Sequence, residues 1–76
     1  MTKLPILSGK EVIKALSKVG YQPVRQKGDH VILVKIVEGK KKAVVVPYHK
    51  EIDKGTLLET IRQSGLTREE FINLVE

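Results

Sequence analysis

With 76 residues the chain is expected to form one folding unit over 1–76, burying only about 60–65% of its unfolded surface. It has no cysteine, which excludes disulfides, thiolate metal sites and thiol catalysis; its 2 histidines and 9 carboxylates show no ligand spacing, so neither a metal nor a cofactor is expected. The net charge of +5 is unevenly spread: residues 1–50 hold 11 Lys/Arg and 3 Asp/Glu, residues 51–76 hold 3 and 6, and so basic a front half suits a polyanion such as nucleic acid or a plain solubilising surface.

The first predicted element is a helix over about 9–19. Ser8 and Glu11 have capping-box spacing, and Val12, Ile13, Leu16 and Val19 recur at helical intervals before Gly20 stops the run. Lys10, Lys14 and Lys18 span only about 80° of the helix circumference, opposite the apolar side. Three strands follow. Tyr21–Lys27 carries Pro23 and so reads as an edge or an irregular start. Gly28-Asp29 is a tight turn, and His30–Val37 is a β-branched strand. Residues 38–41 read as a hairpin loop and Lys42–Val46 as the third strand, ended by Pro47.

Two helical stretches close the chain. Asp53 caps a helix over about Lys54–Ser64, stopped by Gly65, with Leu57, Leu58 and Ile61 as its apolar stripe. Thr67 and Glu70 open a short last helix carrying Phe71, Ile72, Leu74 and Val75. The order is α-β-β-β-α plus a short C-terminal helix. This α+β pattern predicts a three-stranded antiparallel sheet with helices on one face, similar to the double-stranded-RNA-binding domain. No apolar run reaches the roughly 20 residues of a membrane span, and Met1–Ser8 lacks the apolar core of a signal peptide. A cytoplasmic protein with no membrane partner is expected.

His30 follows a turn and starts a strand, a place that is both accessible and rigid. Histidine exchanges protons near neutral pH. RNA brings its own nucleophile, the 2′-hydroxyl, so a base and an acid suffice for cleavage. Arg25 and Lys27, just before the turn, can hold phosphate. The plainer role for His30 is to end the turn or pack at the sheet edge. His49, after the third strand, either approaches His30 as a second proton carrier or orients its loop. Lys10, Lys14 and Lys18 are candidate phosphate contacts, as is the Lys40-Lys41-Lys42 run; each also reads as solvated surface. Gly55-Thr56 reads as a cap turn rather than a phosphate loop, lacking the spacing of a Walker motif. Only 3 aromatics occur, Tyr21, Tyr48 and Phe71, which argues against a stacking sheet for single-stranded RNA.

Several stretches together resemble the HicA family, the mRNA-cleaving toxins of HicA–HicB toxin–antitoxin pairs. They are Leu7-Ser8-Gly9-Lys10-Glu11-Val12, Leu16, Gly20-Tyr21 and Arg25-Gln26-Lys27-Gly28-Asp29-His30. Beyond these come Val44-Val45-Val46-Pro47, His49, Lys54-Gly55-Thr56-Leu57 and Ile61-Arg62-Gln63-Ser64-Gly65-Leu66. The resemblance implies a double-stranded-RNA-binding-like fold, ribonuclease activity on mRNA and neutralisation by a HicB-like antitoxin. It also implies that His30, the histidine of the Gly-x-His turn, is catalytic. The family's usual residue between glycine and histidine is serine; here Asp29 stands there, able to orient or charge the imidazole and also to repel phosphate. The competing reading is a non-catalytic RNA-binding module of the same fold.

Overall fold

A computed structural model describes residues 4–75, so Met1, Thr2 and Lys3 of the opening stretch lie outside the described residues. The elements are α1 (Gly9–Ser17), β1 (Gln22–Lys27), β2 (His30–Val37), β3 (Lys40–Pro47), α2 (Lys54–Ser64) and α3 (Arg68–Val75). The strands form one antiparallel sheet in the order β1-β2-β3. This is the expected α+β arrangement.

The capping box of α1 is complete: the Ser8 hydroxyl accepts from Glu11 N at 3.1 Å, and Glu11 accepts from Ser8 N at 3.0 Å. The helix ends two residues earlier than the apolar pattern suggests. Lys18, Val19 and Gly20 each donate to the carbonyl three residues back, which tightens the last turn, and Gly20 exits at φ +100°. That exit drops Tyr21 into the core, where its hydroxyl donates to the Ser64 carbonyl at 3.0 Å.

Both hairpins use two-residue turns. Gly28 has φ +61° and Asp29 a negative φ, the pattern of a type II′ turn, so Lys27 pairs directly with His30. Glu38 and Gly39 both have positive φ (51° and 76°), as in a type I′ turn, whose twist matches that of the strands. Pairing therefore runs out to Val37 and Lys40, and Lys40 and Lys41 lie in β3 rather than in a four-residue loop. Pro23 sits on edge strand β1, beside a register shift between Pro23 and Arg25.

Val31, Leu33, Val44 and Val46 point to one face of the sheet. They pack with Val12, Ala15 and Leu16 of α1, Leu57 and Ile61 of α2, and Phe71 of α3. α2 also screens the free edge of β3. Gln63 accepts from Val45 N at 3.1 Å, and the Thr60 hydroxyl donates to Val45 O at 3.4 Å. No described helix covers the opposite face. His30, Ile32, Val34 and Ile36 of β2 lie on it, with their partners Lys27 and Arg25 of β1 and Val45 and Pro47 of β3.

Candidate active site

The site is assembled where the β1–β2 turn meets the end of β3. Tyr48 N donates to Asp29 O at 2.6 Å, one step past the His30–Pro47 pair, and holds the 47–49 segment beside the Gly28-Asp29 turn. From the other side Gly9 N, at the start of α1, donates to His49 O at 2.9 Å. The approach there is so close that a Cβ on Gly9 would stand 2.3 Å from Pro47 O. Three elements thus fix the backbone that carries His49.

The side chains converge on one carboxylate. His49 Nε2 donates to Asp29 Oδ2 at 2.7 Å, and His30 Nδ1 lies 3.1 Å from Asp29 Oδ1. A carboxylate only accepts, so the His49 nitrogen facing it carries the proton. The bond from His49 is the main cause that holds the Asp29 carboxyl below its ordinary range, with the neighbouring imidazole charges adding to it. All three side chains are half exposed, at 56% for His30, 50% for His49 and 59% for Asp29. They stand open to a ligand while anchored through the backbone.

The cations sort into two groups. Lys27 faces His30 across the hairpin, and Arg25 lies on the same sheet face opposite Ile32. Lys10 borders a groove with Tyr48 and His49. Farther along α1, Lys14 and Lys18 line a recess against Leu74 and Val75 of α3, and Lys18 Nζ donates to the Leu74 carbonyl at 2.7 Å. Lys18 is thereby committed to closing the end of α3. Lys40–Lys42 open β3 at the far end of β2 from His30, about 17–24 Å away at strand rise. Gly55-Thr56 is a cap turn: Asp53 accepts from Thr56 N at 3.0 Å and from its hydroxyl at 2.7 Å, filling the helix N-terminus with the chain's own carboxylate.

Beside His30 and His49 a cleft of about 270 Å³ opens between the end of β3 and α2, with Thr56, Glu59 and Gln63 on its helical side. Sequence reading assigns Glu59, Gln63 and Gly9 no individual site role, and Thr56 only that of a cap turn, because their roles depend on which elements meet. Periodicity within one helix does not reveal that. Among the described residues no group of three or more His, Cys, Asp or Glu is placed to hold a metal ion. No described helix is long and apolar enough to cross a membrane.

A family model for the HicA toxin of bacterial toxin–antitoxin systems matches residues 9–66, which include every site residue named above. No curated protein matches the chain.

Proposed function

The chain belongs to the HicA family of bacterial toxin–antitoxin toxins, and from that premise we propose that it is a cytoplasmic endoribonuclease that cleaves mRNA through His30 and is neutralised by a HicB-like antitoxin. The observation that carries the reading is the gathering of His30 and His49 on the Asp29 carboxylate, with Lys27 on the same sheet face and Lys10 beside His49.

In this mechanism one imidazole takes the proton of the RNA 2′-hydroxyl. The 2′-oxygen forms a bond to phosphorus as the bond to the 5′-oxygen breaks, and the second imidazole returns a proton to that leaving oxygen. Two half-exposed histidines at one carboxylate supply both partners of such a transfer. Asp29 fixes His49 by its hydrogen bond and offers a negative charge to an imidazole that gains a proton. Lys27 and Arg25 stabilise the charge that builds on the phosphate oxygens. Asp29 also presents a negative charge to the incoming backbone, which favours the non-catalytic binding module as the second reading. Incubation of the purified protein with RNA decides between them: cleavage products support the ribonuclease, and binding without cleavage supports the module.

Two further results are expected. Cleavage persists in excess chelator, because among the described residues no three His, Cys, Asp or Glu side chains are placed to hold one ion, and Asp29 is spent on a hydrogen bond with His49. Loss of cleavage on chelation, restored by added magnesium or manganese, would overturn this. The second concerns the lysine face of α1. Replacing Lys10 and Lys14 with Gln removes two phosphate contacts, lowering RNA affinity and reducing the slope of log affinity against log salt by about 1.4 for a single strand. Lys18 is left in place because its ammonium holds α3. A titration over several salt concentrations with an unchanged slope would remove α1 from the RNA interface.

A further inference from the structure

We propose that the cleft between β3 and α2 seats one nucleobase of the RNA beside the cleaved phosphate, and that it favours bases bearing an exocyclic amino group over uracil. This rests on the reading of the chain as a ribonuclease.

The first support is place and size. His30 and His49 form one end of the cleft, so a nucleotide whose phosphate meets the imidazoles has its base within reach of the opening. At about 270 Å³ the cleft falls just below the usual range of small-molecule sites, roughly 300–1,000 Å³, and suits one ring system rather than two. Val45 and Pro47 give it an apolar wall against which a flat ring can lie.

The second support is the imbalance of hydrogen-bonding groups opposite that wall. The donors there are used save one N–H of the Gln63 amide. The Thr56 hydroxyl donates to Asp53, the Thr60 hydroxyl to Val45 O, and the Gln63 amide to Glu59 at 3.4 Å. The acceptors are in surplus. Each carboxylate has about four lone-pair positions. Asp53 uses two of them on Thr56. Glu59 accepts from Arg62 Nε at 2.9 Å, from a second Arg62 nitrogen and from Gln63. Both carboxyls are held below their ordinary range, Glu59 chiefly by the bond from Arg62 and Asp53 chiefly by that from the Thr56 hydroxyl. Both are therefore anionic at neutral pH.

A wall rich in spare carboxylate acceptors admits N–H donors and repels carbonyl oxygen. Adenine, cytosine and guanine each present an amino group. Uracil presents two carbonyls flanking its single N–H, and a carbonyl turned toward either carboxylate is repelled. Glu59 shares its charge with Arg62, so the Asp53 carboxylate is the charge that disfavours phosphate in the cleft, and the backbone runs on the other side of His30, along Lys27 and Arg25. Base and backbone are thus sorted by opposite signs of charge on either side of the imidazoles.

The test uses 2′-O-methyl tetranucleotides, which bind but lack the free 2′-hydroxyl needed for cleavage. Tetra-adenylate and tetracytidylate are expected to bind wild-type protein about tenfold more tightly than tetrauridylate, the value of one charge-assisted hydrogen bond. In Glu59→Gln, which offers an amide donor to a uracil carbonyl, the preference narrows to about twofold. Equal affinity of the wild type for all three, or a preference that survives in Glu59→Gln, overturns the proposal. Should the variant fail to fold by circular dichroism, amide shifts of the wild type with tetra-adenylate decide. Shifts at Thr56, Thr60 and Gln63 support the cleft, and shifts confined to other elements refute it. Failure of the ribonuclease reading shows separately, as intact unmodified RNA after incubation with wild-type protein.

Discussion

His30→Ala is expected to lower RNA cleavage by about 10²–10⁴-fold, the usual loss on removing a group that transfers protons, while thermal unfolding stays close to that of wild type. The two halves of this expectation come from different parts of the structure. The His30 side chain is 56% exposed and lies on the sheet face that no described helix covers, so its removal opens no cavity. The core is built from Val31, Leu33, Val44 and Val46 against the helices, and the β2 backbone keeps its pairing with Lys27 and Pro47 whatever side chain residue 30 carries. His49→Ala, measured alongside, tests the shared carboxylate. It removes the bond to Asp29 and one of the two proton carriers but leaves His30 in place, so a smaller loss than in His30→Ala is expected. A His30 variant that folds normally and cuts at the wild-type rate would falsify the assignment. One that unfolds instead identifies His30 as a structural residue.

Much of the frame was legible because it depends on local chemistry. Ser8 with Glu11, Thr67 with Glu70, Asp53 and Gly65 mark helix ends that the structure places at the expected residues, each through a short-range hydrogen bond or a left-handed φ. The β-branched run after Gly28-Asp29 likewise forms the central strand. Two boundaries moved for reasons that composition does not carry. The last turn of α1 tightened and ended the helix two residues early, and Glu38 took a positive φ that let the second hairpin close on two residues.

The site was legible in its members and not in its geometry. His30, Asp29 and His49 stood out by residue type, yet nothing local relates position 29 to position 49. That proximity follows from the pairing of His30 with Pro47 and the bond from Tyr48 N to Asp29 O. The lysine stripe of α1 shows the converse. Lys10, Lys14 and Lys18 do share an exposed helix side, but the last helix comes to lie beside the end of that stripe and engages Lys18. A helical wheel shows which residues share a face, and only the tertiary neighbours decide which of them stay free. The cleft depends in the same way on α2 lying along the edge of β3.

Gly9→Ala is expected to destabilise the protein by about 1–3 kcal/mol, the common cost of forcing extra volume into a packed contact. For a chain of this size that lowers the unfolding temperature by roughly 5–20 °C. Helix propensity alone points the other way, since alanine in a helix is favoured over glycine by about 1 kcal/mol. The contact wins because the new methyl would lie 2.3 Å from Pro47 O and 2.8 Å from the Tyr48 Cα, both of them backbone atoms that no rotamer change can move aside. Relief requires α1 to draw back from the 47–49 segment, which lengthens the bond from Gly9 N to His49 O and shifts His49 relative to Asp29. Cleavage is therefore expected to fall even at temperatures where the variant remains folded. Gly55→Ala is the matching control. It too lies in the first turn of a helix, but the nearest neighbour of its added methyl is the Asp53 carboxylate at 3.4 Å, so it should be neutral or raise stability by about 0.4–1 kcal/mol. Calorimetric unfolding of the two variants beside wild type checks the pair of signs. A Gly9 variant that unfolds at or above the wild-type temperature would show that α1 does not press on the segment carrying His49.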